Sequence, residues 1–125
     1  MKIGFIGTGV MGHAIVEHLI AAKHELYVYN RTKSKTDDLV ENGATWKESP
    51  KEVTEESDLV FTMVGYPKDV QEVYYNEDKV IFSANVTVKI LIDLTTSTPT
   101  LAEEIYQTAR EKQATSLDAP VSGGD

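Results

Sequence analysis

The chain has 125 residues, of which 41% are hydrophobic and 26% charged, and its formal net charge at pH 7 is −8. This length and hydrophobic content are typical of one globular domain with a buried core, and the acidic balance argues against nucleic acid as a partner. Without a run of about 18 apolar residues no membrane partner is expected, and the absence of cysteine excludes disulfides and fits a cytoplasmic location.

Short apolar runs alternate with segments of helical periodicity, which predicts an α/β Rossmann-type fold: a doubly wound, mostly parallel sheet with helices on both faces. The predicted strands cover residues 2–7, 25–29, 58–64, 89–94 and 115–119. The predicted helices cover residues 10–22, 32–42, a short stretch from 50, 67–75 and 99–112. Ser49 and Thr98 are expected to cap two of these helices, and Gly43 to end a third. The stretch 76–88 has no clear period and is predicted as mixed structure.

The turn between the first strand and the first helix has the pattern G-x-G-x-x-G, formed by Gly7, Thr8, Gly9, Val10, Met11 and Gly12. One glycine makes the tight turn, the next lets a pyrophosphate approach the backbone, and the third lets helix and strand pack closely. The N-terminus of the helix attracts the phosphates. In this context the pattern predicts a dinucleotide site, the alternative being a glycine turn without a ligand.

Asn30 follows the second strand directly. At this position, about 20 residues after the glycines, an NAD site usually offers an Asp or Glu to the ribose. Arg31 and Thr32 follow, and Lys33 and Lys35 add positive charge. An arginine pairs with a 2′-phosphate through two parallel hydrogen bonds, whereas an acid would repel it. The segment therefore favours NADP over NAD as the cofactor, the alternative being a solvated basic turn.

Four motifs occur in a fixed order along the chain: GFIGTGVMG at the start, NRT after the second strand, DLTTSTP after the strand over 89–94, and DAPVSGG at the end. On the basis of these motifs, the chain resembles the N-terminal domain of the β-hydroxyacid dehydrogenases, the family of 3-hydroxyisobutyrate dehydrogenase and tartronate semialdehyde reductase. The resemblance covers all 125 residues. The resemblance implies an oxidoreductase that interconverts a small β-hydroxyacid and its semialdehyde by hydride transfer. It also implies that residues 1–125 stop before an interdomain helix and a C-terminal domain.

The resemblance assigns cofactor contacts to several positions. The glycine turn would hold the pyrophosphate, and Thr96 would contact the nicotinamide ribose. The adenosine ribose and its phosphate would be held by Asn30, Arg31 and Thr32. Met63 and Val64 would line the cofactor cleft, although Val64-Gly65 departs from the Leu-Pro that is usual in the family.

The terminal loop would bind the substrate's carboxylate at Ser122, Gly123 and Gly124. Glycines permit close backbone approach, and adjacent N–H groups with a hydroxyl form a small anion cradle, the alternative being a flexible tail. The family's catalytic lysine lies on the helix after this loop, beyond residue 125. No residue of this chain is therefore assigned a catalytic role, and the chain alone is expected to bind cofactor without robust turnover.

Three alternatives share parts of this pattern: a 6-phosphogluconate dehydrogenase domain, an imine reductase domain, and a non-catalytic NADP-binding module. The first commonly carries alanine where this chain has Gly9. Family members often assemble through their C-terminal helices, so the full-length protein is expected to be an oligomer and this chain a monomer, unless an exposed sheet face and edge promote association. No metal site is expected, because His13 and His18 are five residues apart and point to different faces of the first helix.

Overall fold

The computed structural model describes residues 1–7, 9–76, 78–95 and 98–119. Within these ranges the chain forms six strands: β1 (Lys2–Ile6), β2 (Glu25–Tyr29), β3 (Thr45–Trp46), β4 (Leu59–Thr62), β5 (Ile90–Asp93) and β6 (Thr115–Asp118). The α-helices in the same ranges are α1 (Val10–Ala21), α2 (Asp37–Glu41), α3 (Pro50–Glu56), α4 (Pro67–Tyr75) and α5 (Pro99–Glu111). None of the helices in this described part is long and apolar enough to cross a membrane.

All six strands are parallel and lie in one sheet of order β3-β2-β1-β4-β5-β6. The chain adds strands outward on one side of β1 and then crosses over to add β4, β5 and β6 on the other. At such a switch point the loops that follow the two neighbouring strands diverge and leave a crevice at the carboxyl edge of the sheet. Ile6 is in register with both Tyr29 and Thr62, so the segments after β1, β2 and β4 begin at one level. The doubly wound fold predicted from the sequence is confirmed.

Hydrophobic clusters cover the two faces of this sheet. One joins β1 and β2 to α1 and α2 through the buried side chains of Ile3, Phe5, Val16, Leu26, Val28 and Leu39. The other joins the central strands to α3, α4 and α5 through the buried side chains of Ile6, Val53, Val60, Val70, Tyr74, Leu91, Leu101 and Ile105. Residues 3–6 are all buried, because β1 is central and is covered on both faces.

Part of one sheet face carries apolar side chains at the surface. Ile90 is 42% exposed and Leu117 is 52% exposed, while Phe61 and Ile92 are half-buried. Ile92 is in register with Phe61 on one side and with Leu117 on the other. Because registered partners point to the same face, these side chains form an apolar stripe across β4, β5 and β6.

The segment predicted as one helix over 32–42 consists of a 3-10 turn, Lys33–Thr36, followed by the short helix α2. The buried Thr36 donates its hydroxyl to the carbonyl oxygen of Lys33 at 2.7 Å, a local hydrogen bond that competes with regular helical geometry. The helix ends as predicted at Gly43, which has a φ of +120° and donates its N–H to Val40 O at 3.1 Å.

The remaining differences are small. The sequence analysis had no strand at β3, since two residues are too few for a periodic pattern. The stretch 76–88 contains a 3-10 turn at Ile81–Ser83. Both predicted caps are confirmed: Ser49 Oγ accepts from Glu52 N and Thr98 Oγ1 accepts from Leu101 N, each at 3.2 Å.

Candidate functional site

A cleft of about 830 Å³ lies at the carboxyl edge of the sheet, at the switch point between β1 and β4. Its lining comes from the glycine turn, the ends of β2 and β4, the first turns of α4, and residues 78–80. Nine residues that the sequence analysis assigned to the cofactor line this cleft: Gly7, Gly9, Met11, Gly12, Asn30, Arg31, Thr32, Met63 and Val64. Positions that lie far apart in the sequence therefore meet in one cavity.

Five predicted site residues lie outside the described residues: Thr8, Thr96, Ser122, Gly123 and Gly124. Val10 is the first residue of α1. The roles given to these six positions stay predictions.

Two glycines of the turn are required by the chain's own packing. Gly7 has a φ of +89°, and a Cβ there would collide with the carbonyl oxygen of Met63. A Cβ on Gly12 would lie 2.9 Å from the carbonyl oxygen of Gly7 and 3.0 Å from the ring of Phe5. Glycine at these two positions lets the turn and α1 approach β1 and β4 closely. Both glycines are therefore explained by packing within the chain.

Gly9 differs from its two neighbours in the motif. Apart from the two chain neighbours, a Cβ added there would meet no atom of the described residues within 4 Å. The backbone angles of Gly9, φ −72° and ψ −170°, suit any L-residue. The fold of the described chain therefore does not require glycine at position 9. A glycine that borders a cleft without being needed by the fold fits a ligand that approaches the backbone closely.

The N-terminus of α1 begins at this open position. Gly9 is the N-cap, no side-chain hydrogen bond caps the helix within the described residues, and its first turn contains no acidic residue. The first N–H groups of a helix lack intrahelical partners and carry its positive dipole end. Together with the space at Gly9, this arrangement fits the pyrophosphate of a dinucleotide.

The segment after β2 forms another part of the cleft's lining. Arg31 is 72% exposed, and its Nη2 lies 2.8 Å from Glu72 Oε2 and 3.5 Å from Asp69 Oδ1. The sequence analysis missed both acids, because they lie 41 and 38 residues further along the chain. The sequence did contain a signal for their position. Both acids belong to the first turns of α4, which directly follows β4, so they must lie near the carboxyl edge of the sheet.

The charges that line the cleft are balanced within the described residues. Three are positive and three negative: Arg31, Lys35, Lys79, Asp69, Glu72 and Asp78. Lys33 is not among them, because its Nζ lies 5.5 Å from the ring centre of Trp46, which stacks on Tyr29. The basic segment predicted from the sequence is thus divided between the cleft and an aromatic surface.

A hydrogen-bonded network joins the ends of β4 and β5 beside the cleft. Thr95 Oγ1 accepts from Val64 N at 2.8 Å, and Asp93 Oδ1 accepts from Thr95 N at 2.8 Å. Asp93 and Thr95 are 4% and 5% exposed. The network fixes the main chain of Val64, which lines the cleft.

Replacing Thr95 with valine should lower the free energy of unfolding by about 1–2 kcal/mol, because the shape is kept while the N–H of Val64 loses its acceptor. Urea denaturation of the wild type and the variant measures this difference. Thr95→Ser is the matched control, since it keeps the hydroxyl and loses only a methyl group. Equal losses in Thr95→Val and Thr95→Ser would contradict the role given to the hydroxyl.

The histidines are not grouped as metal ligands. Among the described residues no cluster of His, Cys, Asp and Glu suits a metal ion. His13 Nε2 lies 2.7 Å from Asp38 Oδ2 and Nδ1 lies 3.4 Å from Glu17 Oε1, so His13 connects α1 to α2. The hydrogen bond to His13 lowers the pKa of the Asp38 carboxyl.

Comparison with known proteins agrees with this geometry. The family described as the NAD-binding domain of 6-phosphogluconate dehydrogenase matches residues 2–125. A probable mitochondrial 3-hydroxyisobutyrate dehydrogenase-like protein of Arabidopsis thaliana is 50% identical over 124 residues, which are 99% of this chain and 37% of that protein. An uncharacterized oxidoreductase of Bacillus subtilis is 48% identical over 98% of this chain and 42% of its own length. The chain thus spans about two fifths of these curated relatives.

Solved structures show the same fold at high similarity. The structure of Psf3 in complex with NADP+ and 2-OPP matches with a TM-score of 0.90 and 33% sequence identity. The match covers 98% of this chain and 43% of the Psf3 chain. The 3-hydroxyisobutyrate dehydrogenase of Mycobacterium tuberculosis, with L-serine, has a TM-score of 0.86 and 30% identity over 98% and 40% of the two chains. An imine reductase from Myxococcus stipitatus in complex with NADP+ has a TM-score of 0.81 and 28% identity over 94% and 40%.

Proposed function

The chain belongs to the family of NAD-binding domains of 6-phosphogluconate dehydrogenase, and on this premise we propose that it is the NADP-binding domain of an oxidoreductase for a small β-hydroxyacid and its semialdehyde. A bound nicotinamide cofactor supplies or accepts the hydride in such a reaction. The residues of this chain would hold and orient that cofactor. The hydroxyacid reaction is proposed from the curated relatives that resemble 3-hydroxyisobutyrate dehydrogenase.

The observation that carries the proposal is the open space at Gly9. The chain's own packing explains Gly7 and Gly12 but leaves Gly9 without a steric reason. A pyrophosphate at the N-terminus of α1 supplies that reason, because it needs direct access to backbone N–H groups. Gly9, Val10, Met11 and the undescribed Thr8 are the proposed phosphate contacts.

NADP is the proposed cofactor because of the segment after β2. Asn30 stands where an acid would select NAD, and Arg31 borders the cleft with a largely exposed side chain. Thr32 lines the same end of the cleft. A guanidinium there can bind a 2′-phosphate through parallel hydrogen bonds.

Arg31→Met should weaken NADP binding about tenfold and leave NAD binding nearly unchanged, because it removes the charged partner of the 2′-phosphate. Thermal unfolding of the chain titrated with NADP or NAD measures both affinities: a ligand at about 100 times its dissociation constant stabilises a protein by roughly 2.7 kcal/mol. Lys33→Met is the matched control, since it removes one positive charge that does not line the cleft.

Three results would count against the proposal. If neither nucleotide shifts the unfolding of the wild type, the dinucleotide site is wrong. If NAD shifts it more than NADP, the preference for NADP is wrong. If Lys33→Met has the same effect as Arg31→Met, only the general charge of the segment matters.

The substrate would bind beyond the cofactor, with its carboxylate at residues 122–124 and the nicotinamide ribose near Thr96. We propose that the proton donor, an interdomain helix and a second domain follow residue 125 in the intact, oligomeric protein, and that residues 1–125 alone bind cofactor without robust turnover. Rapid oxidation of NADPH by the isolated chain with a semialdehyde would refute this.

An imine reductase domain is the second candidate, because an imine reductase is among the structural relatives. A comparison of NADPH oxidation with a cyclic imine and with a small semialdehyde acid, using protein that extends past residue 125, distinguishes the two. Turnover of the imine alone would favour the second candidate.

A further inference from the structure

Glu72 places a carboxylate beside Arg31 in the lining of the cleft. Its Oε2 lies 2.8 Å from Arg31 Nη2, which is the one side-chain hydrogen bond that Glu72 makes among the described residues. Its side chain is 50% exposed and Arg31 is 72% exposed. An exposed pair of this kind contributes little to stability, so replacing Glu72 should leave the fold intact.

Asp69 contacts the same guanidinium but has a structural task. Its Oδ2 accepts from the N–H of Tyr66 at 3.0 Å, which caps α4, and its side chain is only 13% exposed. Its Oδ1 lies 3.5 Å from Arg31 Nη2, at the limit of a hydrogen bond. Glu72 is therefore the partner of Arg31 that can change without disturbing the helix.

From this position Glu72 would favour one kind of nucleotide and disfavour the other. A 2′-phosphate that approaches Arg31 meets a carboxylate already bound to Nη2, and like charges close together repel. A ribose with a free 2′-hydroxyl meets an acceptor for its proton instead. In many NAD sites an Asp or Glu at the end of the second strand binds this ribose, and this chain has Asn30 at that position.

We propose that Glu72 is a specificity-determining residue of the cleft: it restrains Arg31 and supplies from α4 the carboxylate that β2 lacks. Glu72 thereby lowers the preference for 2′-phosphorylated nucleotides and lets the site bind both forms. This inference rests on the proposed function, since it assumes that the adenosine ribose lies beside Arg31.

The test measures two fragments of the cofactor that differ only at the 2′ position, adenosine 2′,5′-bisphosphate and adenosine 5′-monophosphate. Isothermal calorimetry on the 125-residue chain gives the ratio of their affinities for the wild type and for Glu72→Gln. We expect the ratio to rise about tenfold in favour of the bisphosphate. The rise should shrink as ionic strength increases, because both charged groups are exposed.

Glu111→Gln is the matched control, because it removes the same charge at the opposite edge of the sheet. α5 follows the carboxyl end of β5 and ends before the start of β6, so Glu111 lies at the amino edge. This variant should leave the ratio unchanged. Far-UV circular dichroism confirms that each variant is folded before it is titrated.

Three further outcomes separate the inference from the proposed function. If the wild type prefers the bisphosphate and Glu72→Gln leaves that preference equal or lower, the inference is wrong while the nucleotide site stands. If the wild type binds neither fragment, the proposed nucleotide site fails and the inference fails with it. If Arg31→Met leaves the ratio unchanged, the proposed preference for NADP fails, and the inference fails while the nucleotide site stands.

Discussion

Gly9→Val is expected to leave the chain folded and to lower its affinity for NADP at least about 100-fold, which corresponds to roughly 2.7 kcal/mol. Among the described residues other than its chain neighbours, none has an atom within 4 Å of a Cβ at position 9, and the extended backbone there accommodates a β-branched residue. The new methyl groups would instead occupy the space where a pyrophosphate reaches the N-terminus of α1. Stability and binding should thus separate in one variant.

The measurement is the unfolding midpoint with and without NADP. In the absence of nucleotide, Gly9→Val should unfold only a few degrees below the wild type, because valine is less favourable than glycine at the N-cap of α1. Only the wild type should be stabilised by NADP. Gly12→Ala is the contrasting variant, because its Cβ would lie 2.9 Å from a backbone oxygen and should reduce stability directly. Normal NADP binding by Gly9→Val would remove the observation on which the proposed function depends.

Gly7→Ala is expected to destabilise the chain by about 3 kcal/mol or more, even without a ligand. An L-residue at a φ of +89° is strained by about 1–2 kcal/mol, and its Cβ would also collide with the Met63 carbonyl, which belongs to the segment after β4. To relieve the collision, the backbone of the turn or of the segment after β4 would have to move. Since native domains are stable by about 5–15 kcal/mol, much of the total would be lost.

Urea denaturation followed by circular dichroism measures this loss. Gly9→Ala is the matched control, since the same methyl group two residues along has no atom within 4 Å in the described part of the chain beyond its two neighbours in sequence. A shift in the denaturation midpoint for Gly7→Ala that is no larger than that for Gly9→Ala would show that the turn adapts, contrary to the packing described here.

The sequence predicted the fold well because its signals are local. Alternating apolar runs, the glycine turn, and the caps at Ser49 and Thr98 each depend on a few neighbouring residues, and the structure bears them out. The 3-10 turn before α2 escaped prediction because it depends on a hydrogen bond from a buried threonine, Thr36. Burial of a single polar side chain leaves no periodic pattern in the sequence.

Only the parts of the candidate site that consist of local motifs were predicted from the sequence. The glycine turn and the segment around Arg31 are continuous motifs, and both line the cleft. The two acids on α4 that contact Arg31 were missed, because a contact across about forty residues depends on which strands are neighbours. The order β2-β1-β4 brings these segments together, and this order is a property of the whole sheet rather than of any one motif.

The apolar stripe across β4, β5 and β6 affects how the folded state must be recognised in experiments. Dyes such as ANS bind exposed apolar surface, and their fluorescence is commonly taken as a sign of a molten globule. A native sheet that presents Ile90 and Leu117 to solvent offers such dyes a surface while its side chains remain packed. For this chain we therefore expect dye fluorescence in the native state, so native packing is better judged from near-UV circular dichroism.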